Sequence, residues 1–308
     1  MSKSTKPLLS VRLMTFNHEP FIVKALKGVD MQKTNFDFEV VIGDDFSTDN
    51  TLKLIKAYKF NNLNVSVNIL NREIGGDYYR KRKKNGRLYN FYDILKNCQG
   101  KYVALLDGDD YWSDSNKLQK QIDFLEANRD YSICWTGYKI LRENKIINPI
   151  WYNDRKAEAL WDISFDNFSS PYCTMTLTTV FEKKSIAQWL SNFLNFRFFK
   201  DNTLYFLCLN SGKGMFLNCN TSVYRQHPDS VYALQPDYNK AYSNYTNYEE
   251  LLIKFPKARE YNIITKRNNW KNQFLRELYK RPIPKVKKWA IRFKLEAYFK
   301  WLAIKAKL

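Results

Sequence analysis

Four times between residues 8 and 130 a short apolar run is followed by a segment with helical periodicity. That rhythm directs a chain into a mostly parallel sheet with helices on both faces. The runs are Leu8 to Thr15, Phe38 to Ile42, Val65 to Leu70 and Tyr102 to Leu106. The helical segments are Phe21 to Val29, a helix from about Thr51 carrying Leu52, Ile55 and Tyr58, then Leu88 to Asn97 and Asn116 to Asn128. Ser47 or Asp49 can cap the second of these. In such sheets ligands bind beyond the carboxyl ends of the strands. The polar punctuation falls there: Thr15-Phe16-Asn17, Asp44-Asp45 and Asp107 to Asp110. Three separate segments are thus predicted to converge on one crevice.

The fourth run is the most informative. Its apolar residues end in Asp107-Gly108-Asp109-Asp110, three carboxylates within four residues. Like charges so close repel, and burying them alone is costly. A hard divalent cation with oxygen ligands resolves the conflict, and one held by one or two carboxylates keeps positions open for substrate phosphates. The segment therefore points to an enzyme that handles a phosphorylated substrate.

Length and composition agree with a large globular fold: 308 residues, 44% hydrophobic and 16% aromatic. The five cysteines lack CxxC spacing, which argues against a zinc site or a disulfide framework. No apolar run is long enough to span a bilayer, and Met1 to Pro7 has no signal-peptide core. A cytoplasmic location, peripheral on the inner face of the plasma membrane, is the expectation. The net charge of +19 favours an anionic partner: nucleic acid, acidic lipid or a phosphorylated substrate. A nucleic-acid-binding protein is the less suitable reading, because no recognisable module is present. Phosphate backbones would also meet Asp107, Asp109 and Asp110 as like charges.

The second half is less regular. Tyr131 to Leu141 and Thr174 to Phe181 read as strands, Met215 to Leu217 and Thr221 to Tyr224 as short ones. Lys184 to Phe193, Asp201 to Ser211 and most of 238–280 read as helices, and 145–172 as aromatic loop. The division expected is a catalytic domain at 1–235 and a helical extension at 236–308. The first comprises two halves, 1–130 and 131–235.

Together these residues resemble the family 2 glycosyltransferases, inverting enzymes of the GT-A fold found in bacterial polysaccharide and glycolipid assembly. Val11 to Glu19 resembles the family's strand ending in T-[YF]-N. Val41 to Thr51 matches its D-x-S-x-D-x-T segment. Gly100 to Trp112 matches G-K-Y-[IV]-x-x-L-[DE]-G-D-D-Y-W, continued by Lys117-Leu118-Gln119. The resemblance implies a Rossmann-like mixed sheet flanked by helices, and a nucleotide-diphosphate sugar donor, most simply a UDP-sugar. Thr15, Phe16 and Asn17 would lie along the base, and Asp45 would bond base or ribose. Asp107 would lie near ribose and diphosphate. Glu19, Gly108 and Arg225 are counted among the nucleotide-sugar contacts. Asp109 and Asp110 would bind Mg2+ or Mn2+, with His227 completing the coordination or meeting the diphosphate beside Arg225. His227 reads equally as a loop histidine bonded to backbone, His18 as a packing residue, Asp44 as a loop staple and Asp49 as a cap.

The family also implies an Asp or Glu base at the start of a helix in the second half. Asp201, in Phe198-Phe199-Lys200-Asp201-Asn202, fits that place, and Glu182 is the alternative. The acceptor implied is a glycan or polyprenyl-linked saccharide. A sugar-phosphate nucleotidyltransferase is the enzymatic alternative, but its Gly-rich basic N-terminal signature is absent.

Two basic features remain. Tyr78 to Arg87 is dense in cations and largely overlaps the loop read at 71–86, steering the diphosphate or simply solvated. From Arg281 to Leu308 nine Lys/Arg stand against one Glu. Val286, Trp289, Ala290, Phe293, Ala297, Trp301 and Ile304 share one helical face there, and Leu295, Tyr298, Phe299 and Leu302 form a second. Such a helix suits an anionic membrane interface, or packing on its own domain or a second subunit of a homo-oligomer.

Overall fold

The computed structural model describes residues 6–149, 160–164, 174–228, 230, 234–255, 258 and 263–306. Cys173 and most of the aromatic loop read at 145–172 lie outside the described residues. So do Leu308 and the residues between Phe255 and Ile263 other than Ala258.

The first half contains β1 (Leu9–Thr15), α1 (Ile22–Asp30), β2 (Phe38–Asp44), α2 (Thr51–Ala57), β3 (Val65–Ile69), α3 (Asp77–Asn85), α4 (Leu88–Asn97), β4 (Tyr102–Asp107), β5 (Tyr111–Trp112) and α5 (Lys117–Ala127). The second half contains β6 (Tyr131–Arg142), β7 (Lys145–Ile147), β8 (Leu160–Ile163), β9 (Val180–Glu182), α6 (Asp201–Leu209), β10 (Lys213–Gln226), α7 (Asp237–Lys254), α8 (Ile263–Lys280) and α9 (Lys285–Lys305). One ten-stranded sheet runs β3-β2-β1-β4-β9-β6-β10-β5, with β7 on β6 and β8 on β10. The pairs among β1, β2, β3 and β4 are parallel, while β9 meets β4 and β6 antiparallel. The architecture is the mixed, helix-flanked sheet of the GT-A type. The sheet passes without a break across residue 130, so the two halves share one core.

Alternation along β4 shows how the sheet divides that core. Val103 and Leu105 point to a cluster with Ile94, Trp135, Phe181 and Phe206, while Tyr102, Ala104 and Leu106 point to one with Leu26, Leu118 and Ile122. Each such fully buried aliphatic side chain contributes about 1.5–3 kcal/mol. On β1, Leu9, Val11 and Leu13 face the second cluster, which leaves Ser10 and Arg12 on the first, both fully buried.

The structure revises four sequence readings. Residues 71–86 are not all loop, because Asp77–Asn85 forms α3. This helix buries no residue, so apolar periodicity could not reveal it. Asp77–Lys81 and Asp77–Arg80 ion pairs lie along it instead, and Gly86 (φ 69°) ends it. The strand expected at 174–181 is a 3-10 turn, Thr176–Thr178, followed by the short β9, and the helix expected at 184–193 is 3-10, Lys183–Asn195. The two strands expected at 215–217 and 221–224 are one, β10. Its register against β6 shifts between Leu217 and Ser222, and that irregularity interrupts the alternation a sequence pattern relies on.

Helices α7, α8 and α9 form a third cluster around Tyr245, Phe274, Leu278, Leu295, Phe299 and Leu302. Tyr248, Leu251 and Leu252 of α7 also enter the first cluster, so the extension is packed onto the sheet domain.

Candidate active site

The ends of β1, β2 and β4 are stapled together by backbone and short polar side chains. Asp45 N donates to Thr15 O (2.9 Å) and Gly108 N to Met14 O (2.9 Å). Asn17 sits in the left-handed region (φ 52°), where asparagine is tolerated, and its Oδ1 accepts from Thr48 N (2.8 Å). Asn17 N donates to Ser47 Oγ, His18 N to Thr51 Oγ1 and Glu19 N to Asp49 Oδ2. Asp44 accepts from the amide and hydroxyl of Ser47, and Asp49 accepts from Thr51 N at the start of α2. Both Glu19 oxygens accept from Asn50, so Glu19 braces this loop. Thr15 is buried at the base of the turn, whereas Phe16 stands 44% exposed.

Gly108 lets the carboxylate loop approach this turn. A Cβ there would lie 2.7 Å from Thr15 Oγ1 and 2.9 Å from His18 Nδ1, closer than packed atoms tolerate. The three aspartates therefore lie directly against the first turn.

Each has a different partner. Asp107 accepts from Arg12 Nη1 at 2.8 Å, an arginine drawn from the middle of a core strand, whose guanidinium also lies 4.8 Å from the Phe91 ring. Desolvation pushes the Asp107 carboxyl up, and Arg12 pulls it back down. Asp110 accepts from Arg225 N (2.8 Å), and desolvation together with the Asp109 charge pushes it well above the usual carboxylate range. Asp109 is desolvated as well, but His227 and His18 hold it below that range. Its Oδ2 lies 3.4 Å from His227 Nε2 and 3.7 Å from His18 Nε2. His18 thus flanks Asp109, its other ring nitrogen 3.2 Å from Thr15 Oγ1. Arg225 donates Nε to Asp109 O (2.9 Å) and lies over Phe21 and Tyr111. The β5–β10 pairing, Ser222 with Trp112 and Val223 with Tyr111, carries Arg225 and His227 to this place.

Among the described residues no three Asp, Glu, His or Cys side chains already converge as a metal site. The donor chemistry is nonetheless suited to one. Asp109 Oδ2 and His227 Nε2 stand at nearly the separation, about 3 Å, that adjacent ligands keep around a six-coordinate cation. His227 Nδ1 is buried without a partner among the described residues, so a ring that ligated a cation through Nε2 would carry its proton on Nδ1 with nothing to accept it.

Asp201 is the first residue of α6, exposed, and accepts from Thr176 Oγ1 at 2.7 Å. Its charge adds to the upward shift of both the Asp107 carboxyl and the Tyr224 hydroxyl, in which desolvation is the main cause. The preceding loop hangs from one edge of α7. Glu250 accepts from Arg197 N (3.0 Å) and Phe198 N (3.4 Å), Asn247 donates to Phe198 O (2.7 Å) and Asn244 accepts from Lys200 Nζ (2.6 Å). Burial, opposed by Asp201, brings the Lys200 amine down to about 8. Glu182 is elsewhere. It pairs in register with Tyr102 and binds Lys184, roughly 16 Å along β4 from Asp107.

Asp45 lies at the mouth, held by Arg82 through Nε and Nη2 (2.8 and 2.6 Å) and by the Tyr78 hydroxyl (3.0 Å). Phe46, at φ 63°, packs between the Tyr78 and Tyr79 rings. A bulky side chain in the left-handed region costs about 1–2 kcal/mol, which these contacts must offset. Beneath, Arg72 donates to Asp44 O, Asn90 Oδ1 and Asp93 Oδ2, with Tyr78 stacked 3.8 Å from its guanidinium.

Sequence reasoning missed Arg12, Arg72, His18 as a neighbour of Asp109, and the α7 row. Arg12 did carry a signal: a lone cation inside an apolar strand must find a buried anion.

A sequence model described as "Glycosyl transferase family 2" matches residues 10–183. An uncharacterized protein of Mycobacterium tuberculosis is 33% identical over 157 residues, 49% of this chain and 42% of that protein. A Bacillus subtilis protein named as a teichuronic acid biosynthesis glycosyltransferase, TuaG, is 30% identical over 59% of this chain and 65% of its own. The Escherichia coli UDP-Glc:alpha-D-GlcNAc-diphosphoundecaprenol beta-1,3-glucosyltransferase WfgD is 29% identical over 46% and 49%. The chain thus spans about half the length of these curated relatives. Staphylococcus aureus TarS 1-349 with UDP-GlcNAc superposes at a TM-score of 0.58 and 18% identity, over 97% of this chain and 88% of that one. The Pyrobaculum calidifontis mannosyltransferase PcManGT, with GDP-Man and Mn2+, gives 0.55 and 14% over 99% and 85%.

Proposed function

The chain belongs to glycosyl transferase family 2, and from that premise we propose that it is an inverting, divalent-metal-dependent glycosyltransferase. It moves a sugar from a nucleoside diphosphate, uridine diphosphate foremost, to a hydroxyl of a glycan or lipid-linked saccharide. The observation that carries this reading is the carboxylate loop Asp107–Asp110, packed on the Thr15–His18 turn of the first half and bonded by Arg225 and His227 of the second. WfgD, whose name specifies a UDP-Glc donor and a diphosphoundecaprenol acceptor, supports the donor and acceptor class.

In this reading the Thr15–Asn17 turn and Asp45 receive the nucleoside, and Asp107, oriented by Arg12, receives the ribose–diphosphate end. Asp201 accepts the proton of the acceptor hydroxyl. The acceptor oxygen then bonds to the anomeric carbon as its bond to the diphosphate oxygen breaks, which inverts that centre. Arg225 lies where charge grows on the leaving diphosphate. Asp109, Asp110 and His227 would hold the cation, which when bound neutralises that same charge. A carboxylate–imidazole set is one that manganese accepts more readily than magnesium, which prefers oxygen ligands alone.

Thermal unfolding with uridine or guanosine diphosphate, with and without Mn2+, tests this, followed by nucleotide-sugar hydrolysis across a donor panel. Metal-dependent stabilisation by uridine diphosphate, lost in Asp109→Asn, is expected. No metal-dependent shift and no hydrolysis of any donor would refute it.

A further inference from the structure

Helix α9 carries two apolar faces, and the fold uses one. Leu295, Phe299 and Leu302 are buried against α7 and α8. On the opposite side Val286, Trp289, Phe293, Trp301 and Ile304 stand 55–77% exposed, with Trp289 and Phe293 stacked on each other. A row of this kind, two tryptophans included, is a large apolar patch for a water-facing surface.

Charge says what covers it. Between Lys285 and Lys305 there are seven Lys/Arg and one Glu. At helical spacing Lys287, Lys294 and Lys305 border the apolar row on one side, Lys285 and Arg292 on the other. Arg281, Lys287 and Lys294 also ring a recess of about 280 Å³ whose floor is Ile283, Ala290 and Ile291. A second copy of this face would bring seven cations against seven. An acidic lipid surface accepts both features, apolar side chains below the headgroups and lysines among the phosphates. No helix among the described residues is long and apolar enough to cross a membrane, so α9, about 31 Å long, lies in the surface plane.

We propose that α9 seats the protein on an anionic lipid surface, with Val286, Trp289, Phe293, Trp301 and Ile304 in the acyl boundary and Arg281, Lys287 and Lys294 among the headgroup phosphates. The seating is independent of what the crevice transfers, so vesicle binding can be measured without any donor or acceptor.

The full chain is sedimented with vesicles of phosphatidylcholine alone or mixed with phosphatidylglycerol. Binding to the mixed vesicles only, weakened by salt, is expected. Lys287→Glu with Lys294→Glu should lower the affinity at least about thirtyfold, and Trp289→Ser with Phe293→Ser and Trp301→Ser should abolish it, with unchanged far-UV circular dichroism. Quenching of the native tryptophans by brominated lipid gives a readout that needs no variant. Equal binding to both vesicle types, no quenching, or undiminished binding by either variant would overturn the proposal. So would a concentration-dependent dimer that the serine variant dissolves, which would assign the face to a second copy.

Discussion

On the β1–β2–β4 side of the crevice, position comes from turns: amides of residues 17, 18, 19, 45, 47, 48 and 51 close onto carbonyls and short polar side chains of the same loops. On the α6 side, the loop before Asp201 is held at residues 197, 198 and 200 by side chains from another helix, Glu250, Asn247 and Asn244, across separations of 44–53 residues. The first kind of wall leaves short motifs, because a turn constrains neighbouring residues. The second leaves only scattered polar residues inside an otherwise ordinary helix. In the proposed function, donor recognition and proton transfer thus rest on elements that could be disturbed separately.

Four substitutions and one control, Glu182→Gln, probe the two walls and the core beneath them. The largest effect is expected at Asp201. Asp201→Asn should lower turnover by about a thousandfold or more with the donor Michaelis constant and thermal stability unchanged, and Glu182→Gln should leave turnover near that of the wild type. Steady-state kinetics decide it, and near-normal turnover in Asp201→Asn would remove the residue from the chemistry. On the opposite wall, Arg12→Met strips Asp107 of its buried partner and should cost about 3 kcal/mol in urea unfolding. It should also weaken nucleotide binding, which a pure packing role would not.

Glu250→Gln keeps the size of the side chain but weakens the grip on Arg197 N and Phe198 N. Turnover should fall roughly tenfold with donor affinity intact, and a matched loss of donor affinity would show that the two walls are not separable. The smallest effect lies beneath both. Lys117 is fully buried beside Trp112 and Gln121, and burial brings its amine down to about 7. The unfolded chain keeps its proton up to about pH 10. Between pH 7 and 10 the unfolded state therefore binds more protons than the folded one, and stability should rise with pH across that window. Lys117→Met should flatten the rise, as urea melts at pH 7 and 9 would show.

The same contrast sets how much was legible in the sequence. The strand–helix rhythm, the crevice and the carboxylate loop could be read because each is local. The helix α3 could not, since its contacts are Arg82 and Tyr78 on Asp45 and it has no buried face. Glu19 follows the Thr-Phe-Asn turn, and that closeness lets it brace Asn50, a bond between loops that neither loop's sequence announces. Arg12 and His18 acquire meaning only when residues 107 and 109 arrive beside them. The α9 faces were visible as two, but which one docks depended on Tyr245, Phe274 and Leu278.

The bonds joining Asp110 to Arg225 and Asp109 to His227 span 115 and 118 residues. Contacts that distant form late, after most loop-closure entropy has been spent. Until β10 docks, the three aspartates face one another without Arg225 or His227, and their repulsion opposes closing the crevice. The crevice therefore doubles as a gauge of completed folding: its carboxylates gain Arg225 and His227 only once the second half has joined the sheet.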